Sequence, residues 1–217
     1  MSSHDEIISR QISAEAMTVH LNRANSLSWA VNWFLLVAKI YIAVKSNSKA
    51  VWASLADSFV DLLSQAVLSL ATRYMKIHSP DYPVGRSRLE ALSVLASAGI
   101  MTMASVEVIQ FSCMDLYYGY NGELPNLNVD SMMYCVLTIG IVLKLFLWLY
   151  CNYINKIVES DSLEALAEDH LNDILSNAAA LITASVAYTA IGAWWVDPVG
   201  AIIISIVIIY RWMSMIW

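Results

Sequence analysis

Aspartates stand in pairs, four residues apart, inside two stretches of the chain that are otherwise strongly apolar. The segment "LAEDHLNDILSN" contains Asp169 and Asp173, and the earlier segment "ASLADSFVDLLSQAVLSLA" contains Asp57 and Asp61. Positions four apart on an α-helix lie one turn apart on nearly the same face. Each pair therefore directs two carboxylates the same way, and such like charges repel unless protons or a cation neutralise them.

Four carboxylates in an apolar setting favour a bound divalent cation. A single charged side chain at the centre of a bilayer costs about 2.5–3.5 kcal/mol even on the mildest scales. An oxygen-only ligand set suits a hard ion such as Mg²⁺ or Mn²⁺, whereas zinc more readily recruits histidine or cysteine. The sequence therefore predicts a metal site formed by four side chains, which are Asp57, Asp61, Asp169 and Asp173.

Two other polar residues are further candidate ligands. Asn32, in the first apolar stretch, offers an amide oxygen that could complete the shell of a hard metal. His170 stands three residues before Asp173 and could share its face, although packing or a hydrogen bond suits it better. An ion pair with Lys144 would account for one isolated aspartate, but it does not account for two matched pairs.

The remaining polar residues of the apolar stretches are interpreted as groups that link helices by hydrogen bonds. They are Ser58, Gln65 and Asn177. Two lysines also fall inside apolar stretches. Lys39 is expected to extend to the outer interface of the membrane, whereas Lys144 lies deep and needs an acidic or carbonyl partner.

The composition places the chain among membrane proteins. Of its 217 residues, 59% are hydrophobic and only 14% are charged, and the mean hydropathy is +0.58. The net charge is −6, and the few basic residues form no stripe, so nucleic-acid binding is excluded. The first residues lack the basic start and apolar core of a signal peptide, so residues 1–24 are predicted to be a cytosolic segment.

Six apolar runs are long enough to cross a bilayer, which requires about 20 residues each. They cover residues 26–45, 51–73, 89–112, 131–152, 163–190 and 197–215. The fold predicted for residues 25–217 is an all-α, polytopic membrane domain of six transmembrane helices with both termini in the cytosol. This orientation places most of the basic residues in the cytosol, namely Arg10, Arg23, Arg73, Lys76, Arg86, Arg88, Lys156 and Arg211.

The chain resembles the cation diffusion facilitator family of divalent-metal/proton antiporters. The segment "DSFVD", with the later "YPVGRSRLEAL", is similar to the second helix of that family and its connection to the third. The segments "DHLNDILSN" and "WWVDPVGAIIIS" are similar to its fifth helix and the start of its sixth. The resemblance runs over the whole chain from about residue 25.

The resemblance also implies a metal. Zinc members of the family typically carry a histidine where this chain has Asp169, so Asp-x-x-x-Asp in both helices resembles the manganese-type subgroup. That subgroup carries an asparagine in its first helix, which Asn32 matches. Members usually continue into a soluble cytosolic domain that supports a homodimer. This sequence stops at Trp217, so it is interpreted as a fragment or as a member without that domain.

The function predicted from these features is Mn²⁺/H⁺ antiport, with Mn²⁺ exported from the cytosol. The destination is the outside of the cell or an organelle, so the protein belongs in the plasma membrane or in an endomembrane such as a vacuole or Golgi-like compartment. No enzymatic activity, catalytic residue or resident cofactor is expected, and the partners are the metal ion, the lipid bilayer and a second copy of the chain. Zn²⁺ or Fe²⁺ is the alternative substrate. A cation channel and a non-transporting membrane scaffold are the alternatives of another class.

Overall fold

The fold is an assembly of six long helices. The computed structural model describes residues 3–46, 49–75, 88–122, 131–189 and 194–216, and the regular structure within these ranges is entirely helical. The helices are α1 (Ser3–Ser46), α2 (Lys49–Met75), α3 (Arg88–Tyr120), α4 (Ser131–Val158), α5 (Asp161–Thr189) and α6 (Val196–Ile216). This confirms the predicted all-α membrane fold. The connection predicted between the spans 51–73 and 89–112 lies mostly outside the described residues, and with it Lys76 and Arg86.

Five of the helices contain a stretch long and apolar enough to cross a membrane. These stretches are Val19–Val44, Ser54–Tyr74, Arg88–Tyr120, Tyr134–Ile157 and Val196–Ile216. The remaining helix, α5, has 29 residues, but its first half carries the aspartates and several other charged side chains. Because charged groups avoid lipid, a helix of this composition is stable in a membrane only where other helices surround it.

The packing of the helices provides that surrounding for α5. The chain forms a closed ring in which α1 contacts α2 and α4, α2 contacts α3, α3 contacts α6, and α5 lies between α6 and α4. Helix α5 also contacts α2 and α3 across the ring. Two apolar clusters meet α5 from different sides, one through Leu163, Leu166 and Ala167 and the other through Ala165. The first half of α5 is therefore the core of the bundle.

A tight turn sets the depth of α4 relative to α5. Only Glu159 and Ser160 separate the two helices, and Glu159 adopts a φ of 49°, in the left-handed region that often ends helices. The Ser160 carbonyl accepts hydrogen bonds from the amides of Leu163 and Glu164, each at 3.0 Å, as an N-cap residue does. The two helices consequently run antiparallel from a short turn.

The turn explains why two distant residues lie at the same depth. With a rise of about 1.5 Å per residue, Lys144 lies about 21 Å from the end of α4, and Asp173 lies about 18 Å from the start of α5. An antiparallel pair with a two-residue connection therefore places these side chains opposite each other. The position of the site along the bundle follows from the length of the turn.

Charged side chains fix the start of α5 to its neighbours. The Glu90 carboxylate of α3 accepts hydrogen bonds from the Ser160 hydroxyl at 2.7 Å and from the Ser162 amide at 3.1 Å. A negative charge at this position also interacts favourably with the helix dipole of α5. Directly before Asp169, Glu168 receives three hydrogen bonds from the Arg211 guanidinium of α6, at 2.9, 2.7 and 2.6 Å. Helices α3, α5 and α6 are thus joined near one end.

Replacing Glu90 with alanine should lower the thermal stability of the protein. The change removes an acceptor from the first turn of α5, and loss of such a cap costs about 1 kcal/mol. For a chain of this length that corresponds to a decrease of roughly 2–4 °C in the melting temperature, measured by thermal unfolding in detergent. Glu159→Ala is the matched control, because Glu159 is exposed in the same turn. Equal melting temperatures for the two variants would contradict the capping role of Glu90.

Candidate metal centre

A cavity in the middle of the bundle is lined mainly by polar side chains from α1, α2, α4 and α5. It is lined by Asn32, Leu35, Lys39, Ser58, Asp61, Lys144, Asp173 and Asn177. Asp61 and Asp173 are 7% and 9% exposed. One aspartate from each sequence pair therefore opens on the same cavity, as a shared ion would require.

Next to the cavity, three side chains of α5 are close enough to hold one metal ion. Asp169, His170 and Asp173 each offer a ligand atom, and these three atoms lie within 4.8 Å of one another. Asp169 is 1% exposed, and neither of its carboxylate oxygens has a hydrogen-bond partner among the described residues. Because an unpartnered buried carboxylate is costly, a group of this kind calls for a cation or a proton.

His170 is held from the side of α1. Its Nε2 atom lies 2.8 Å from the hydroxyl of Ser28, and both side chains are fully buried. The other ring nitrogen, Nδ1, has no hydrogen-bond partner in the described part of the chain. The sequence favoured packing or a supporting role for His170 over direct metal ligation, and Ser28 is its hydrogen-bond partner in the structure. Ser28 itself was not singled out from the sequence, because 142 positions separate it from His170.

Asp57 differs from the other three predicted ligands. It is exposed on α2, one turn before Asp61, and it is not among the residues that line the cavity. Its neighbour Ser58 is buried and does line the cavity. The structure thus brings Asp61, Asp169 and Asp173 into one buried region, while Asp57 is exposed one turn away on α2.

Asn32 lies in the cavity wall and is fixed by a partner on α2. Its Nδ2 atom donates a hydrogen bond of 2.8 Å to Oε1 of Gln65, and the two side chains are 3% and 1% exposed. Gln65 in turn donates to the carbonyl of Asn25 at 3.4 Å. This confirms the interpretation of Gln65 as a group that links helices. The amide of Asn32 is held in one orientation beside the acidic residues.

Two lysines lie among these carboxylates. The expectation that Lys39 extends to the outer interface is wrong. Its side chain is buried, and its ammonium donates to the hydroxyl of Ser58 at 2.7 Å and to the carbonyl of Ser54 at 3.0 Å. The acceptors on α2 hold the ammonium inside. Lys144 has the acidic partner that the sequence required, because it forms an ion pair with Asp173.

A membrane bundle with carboxylates buried around a central cavity defines a class of polytopic transport proteins. Comparison with known families makes this class specific. Residues 26–217 match the model of the cation efflux transmembrane domain. The chain therefore belongs to the cation efflux family, which confirms the resemblance found in the sequence. The part of the family that the chain matches is its transmembrane domain, so the chain is a multi-pass membrane protein.

Individual relatives agree with this assignment. The chain is 32% identical to Metal tolerance protein 10 of Arabidopsis thaliana over 210 residues, which cover 96% of the chain and 46% of that relative. It is also 32% identical to Metal tolerance protein 4 of Oryza sativa subsp. japonica, with coverage of 100% of the chain and 51% of the relative. For Metal tolerance protein 5 of the same plant the identity is 35%, and the shares are 86% and 44%. The chain spans about half the length of these curated relatives.

Replacing Gln65 with leucine should destabilise the bundle because it leaves the Asn32 amide buried without its acceptor. Loss of one partner from a buried hydrogen bond costs about 1–3 kcal/mol, whereas removal of both partners costs much less. We therefore expect a lower melting temperature in detergent for Gln65→Leu, and a substantial recovery when Asn32→Leu is added. Strictly additive losses in the two single variants and the double variant would show that the two side chains are not coupled.

Proposed function

We propose that the chain is the transmembrane part of a homodimeric transporter that exports Mn²⁺ from the cytosol in exchange for protons. The export is out of the cell or into an organelle such as a vacuole or Golgi-like compartment. The observation that carries the proposal is the opening of Asp61 and Asp173, one from each Asp-x-x-x-Asp pair, on a single buried cavity. Mn²⁺ is the substrate in this proposal, and H⁺ is the coupled ion.

The ligand chemistry supports a hard metal. Asp61 and Asp173 contribute carboxylate oxygens from two helices, and Asp169 adds a carboxylate that has no partner among the described residues. Asn32 would supply an amide oxygen from α1. Asp57 completes the carboxylate set in the proposed bound state, from one turn closer to the start of α2. Oxygen ligands of this number suit the roughly octahedral shell of Mn²⁺.

The same carboxylates account for the proposed coupling to protons. Buried acidic groups that interact strongly take up and release protons as a group, so their titration belongs to the cluster. On the near-neutral cytosolic side the cluster binds the metal. On an acidic far side protons replace it, and the helices return in the protonated form. Rocking of one group of helices against the other around a midplane site would provide alternating access.

Zn²⁺ is a second candidate substrate, favoured by one specific observation. His170 lies within the same group of ligand atoms as Asp169 and Asp173, and its Nδ1 atom has no hydrogen-bond partner in the described ranges. A site with one imidazole nitrogen and two carboxylates is suitable for zinc. The selectivity of the site for Mn²⁺ over Zn²⁺ therefore depends on whether the bound ion contacts Asp169 alone or both Asp169 and His170.

Replacing Asp169 with histidine should shift transport from Mn²⁺ toward Zn²⁺, because an imidazole nitrogen is a softer ligand than a carboxylate oxygen. The measurement is uptake of each metal into proteoliposomes under an imposed pH gradient. His170→Ala is the comparison variant and should reduce Mn²⁺ uptake much less than Asp169→Asn does. Tolerance of Asp169→Asn together with loss of transport in His170→Ala would replace Asp169 by His170 in the ligand set.

Proton coupling is tested by the direction of the gradient. An acidic compartment on the far side of the membrane should accelerate Mn²⁺ movement into that compartment. Mn²⁺ movement should in turn drive protons in the opposite direction. A protonophore should abolish uphill accumulation and leave downhill exchange intact. Proteoliposomes that contain a pH-sensitive dye report both fluxes. Mn²⁺ movement with no proton movement at any gradient would identify a uniporter or channel, and no flux in any condition would favour a membrane scaffold.

A further inference from the structure

Lys144 occupies an unusual position for a lysine. It lies on α4 deep in the bundle, is 2% exposed, and lines the cavity that contains Asp61 and Asp173. Its ammonium forms an ion pair with the Asp173 carboxylate. A cation therefore already occupies one of the carboxylates to which the proposed function assigns the metal.

The contacts of Lys39 show that this pairing is specific to Lys144. Both lysines line the same cavity. The Lys39 ammonium donates to neutral groups, the Ser58 hydroxyl and the Ser54 carbonyl, and these hold it against α2. Lys144 is placed opposite Asp173 by the short turn between α4 and α5. One lysine is thus fixed in the wall, and the other neutralises a ligand.

A metal ion and an ammonium compete for one buried carboxylate. Two positive charges a few ångströms apart repel strongly where the surrounding medium has a low dielectric constant. A lysine side chain is flexible, so its ammonium can withdraw along its four-carbon stem while the helix stays in place. Binding of a divalent cation at Asp173 therefore favours withdrawal of the Lys144 ammonium from that carboxylate.

We propose that Lys144 is a tethered counter-cation that occupies Asp173 in the metal-free site and is displaced when the metal binds. This inference rests on the proposed function in taking Asp173 as a metal ligand. Lys144 stabilises the empty site, because the carboxylate keeps a positive partner when no ion is present. It also competes with the metal, so it holds the affinity at a level from which the ion is readily released.

The test compares metal binding in the full chain and in Lys144→Met, which keeps an unbranched apolar side chain one atom shorter and removes the charge. Binding of Mn²⁺ is measured by titration calorimetry in lipid nanodiscs. The ion pair with Lys144 competes with the metal for Asp173, so losing it should tighten the dissociation constant for Mn²⁺ roughly ten- to a hundredfold. Lys156→Met is the matched control on the same helix, where the lysine is exposed, and its affinity should equal that of the unmodified chain.

Transport provides a second readout. If Lys144 promotes release, Lys144→Met in proteoliposomes should show a lower KM for Mn²⁺ together with a lower maximal rate. A role in packing alone would lower the rate without tightening the affinity. Unchanged or weaker Mn²⁺ binding in Lys144→Met would overturn the proposal.

Thermal stability keeps the proposal testable when Lys144→Met is poorly folded. Removing only the lysine leaves Asp173 buried and unpaired, so the melting temperature should fall without metal and recover more than that of the unmodified chain when MnCl₂ is added. The double variant Lys144→Met/Asp173→Asn should be stable without metal, because neither charge remains. If the double variant is as unstable as Lys144→Met, and MnCl₂ does not restore the stability of Lys144→Met, Lys144 acts in packing and the proposal is overturned.

The two proposals fail in different ways. Mn²⁺ transport by the unmodified chain, with equal affinities in Lys144→Met and Lys156→Met, overturns the role of Lys144 and leaves the proposed function standing. Binding of Mn²⁺ without any transport overturns the proposed function. In that case the affinity ratio between the two lysine variants still decides the role of Lys144.

Discussion

A carboxylate buried inside a membrane protein must be neutralised by a cation or a proton, and this requirement shapes the whole bundle. Helix α5 carries Asp169 and Asp173 in its first half, where contact with lipid would be most unfavourable. The other helices surround this half, and small residues such as Ala165 and Ala167 allow them to approach closely. The helix that is least suited to lipid by composition is for this reason the one at the centre.

Polar contacts between helices contribute to order in a bundle whose apolar surfaces gain little from burial against lipid. Helices α1 and α2 are joined by several hydrogen bonds, among them Asn32 to Gln65 and Trp29 to Ser69. Helix α5 is joined to α3 by Glu90 and to α6 by Glu168. The cavity lies where the first group of helices faces α4 and α5. Its walls are consequently held from two sides, while its interior keeps charged groups that a ligand can reach.

Much of this arrangement could be predicted from the sequence. The apolar runs indicated the helices, and four-residue spacing placed Asp169 and Asp173 on one face, since both signals are local. Helix α3 continues to Tyr120, whereas the predicted span ends at 112. The prediction followed the apolar run, and the helix extends beyond that run. Lys144 was recognised as needing an acidic partner, because a lone charge at that depth is too costly.

Other features depend on tertiary contacts that no local pattern contains. The position of Lys39 was predicted wrongly because the argument considered the lysine alone and could not include Ser58 on another helix. The exposure of Asp57 depends on how α2 is rotated against its neighbours. Asn172 is 1% exposed, and neither atom of its amide has a hydrogen-bond partner within the described ranges. The only feature of the sequence that pointed to Asn172 was its position next to Asp173.

The turn between α4 and α5 has a mechanical consequence. The connection has only two residues. Ser160 caps the start of α5, and Glu90 accepts a hydrogen bond from Ser160, so the connection is too short and too rigid to act as a hinge. Helices α4 and α5 are therefore expected to tilt together as one rigid unit, so Lys144 and Asp173 stay at the same depth in the bundle. Helix movements that change the shape of the cavity must then alter the distance between the α4–α5 unit and Asp61 on α2.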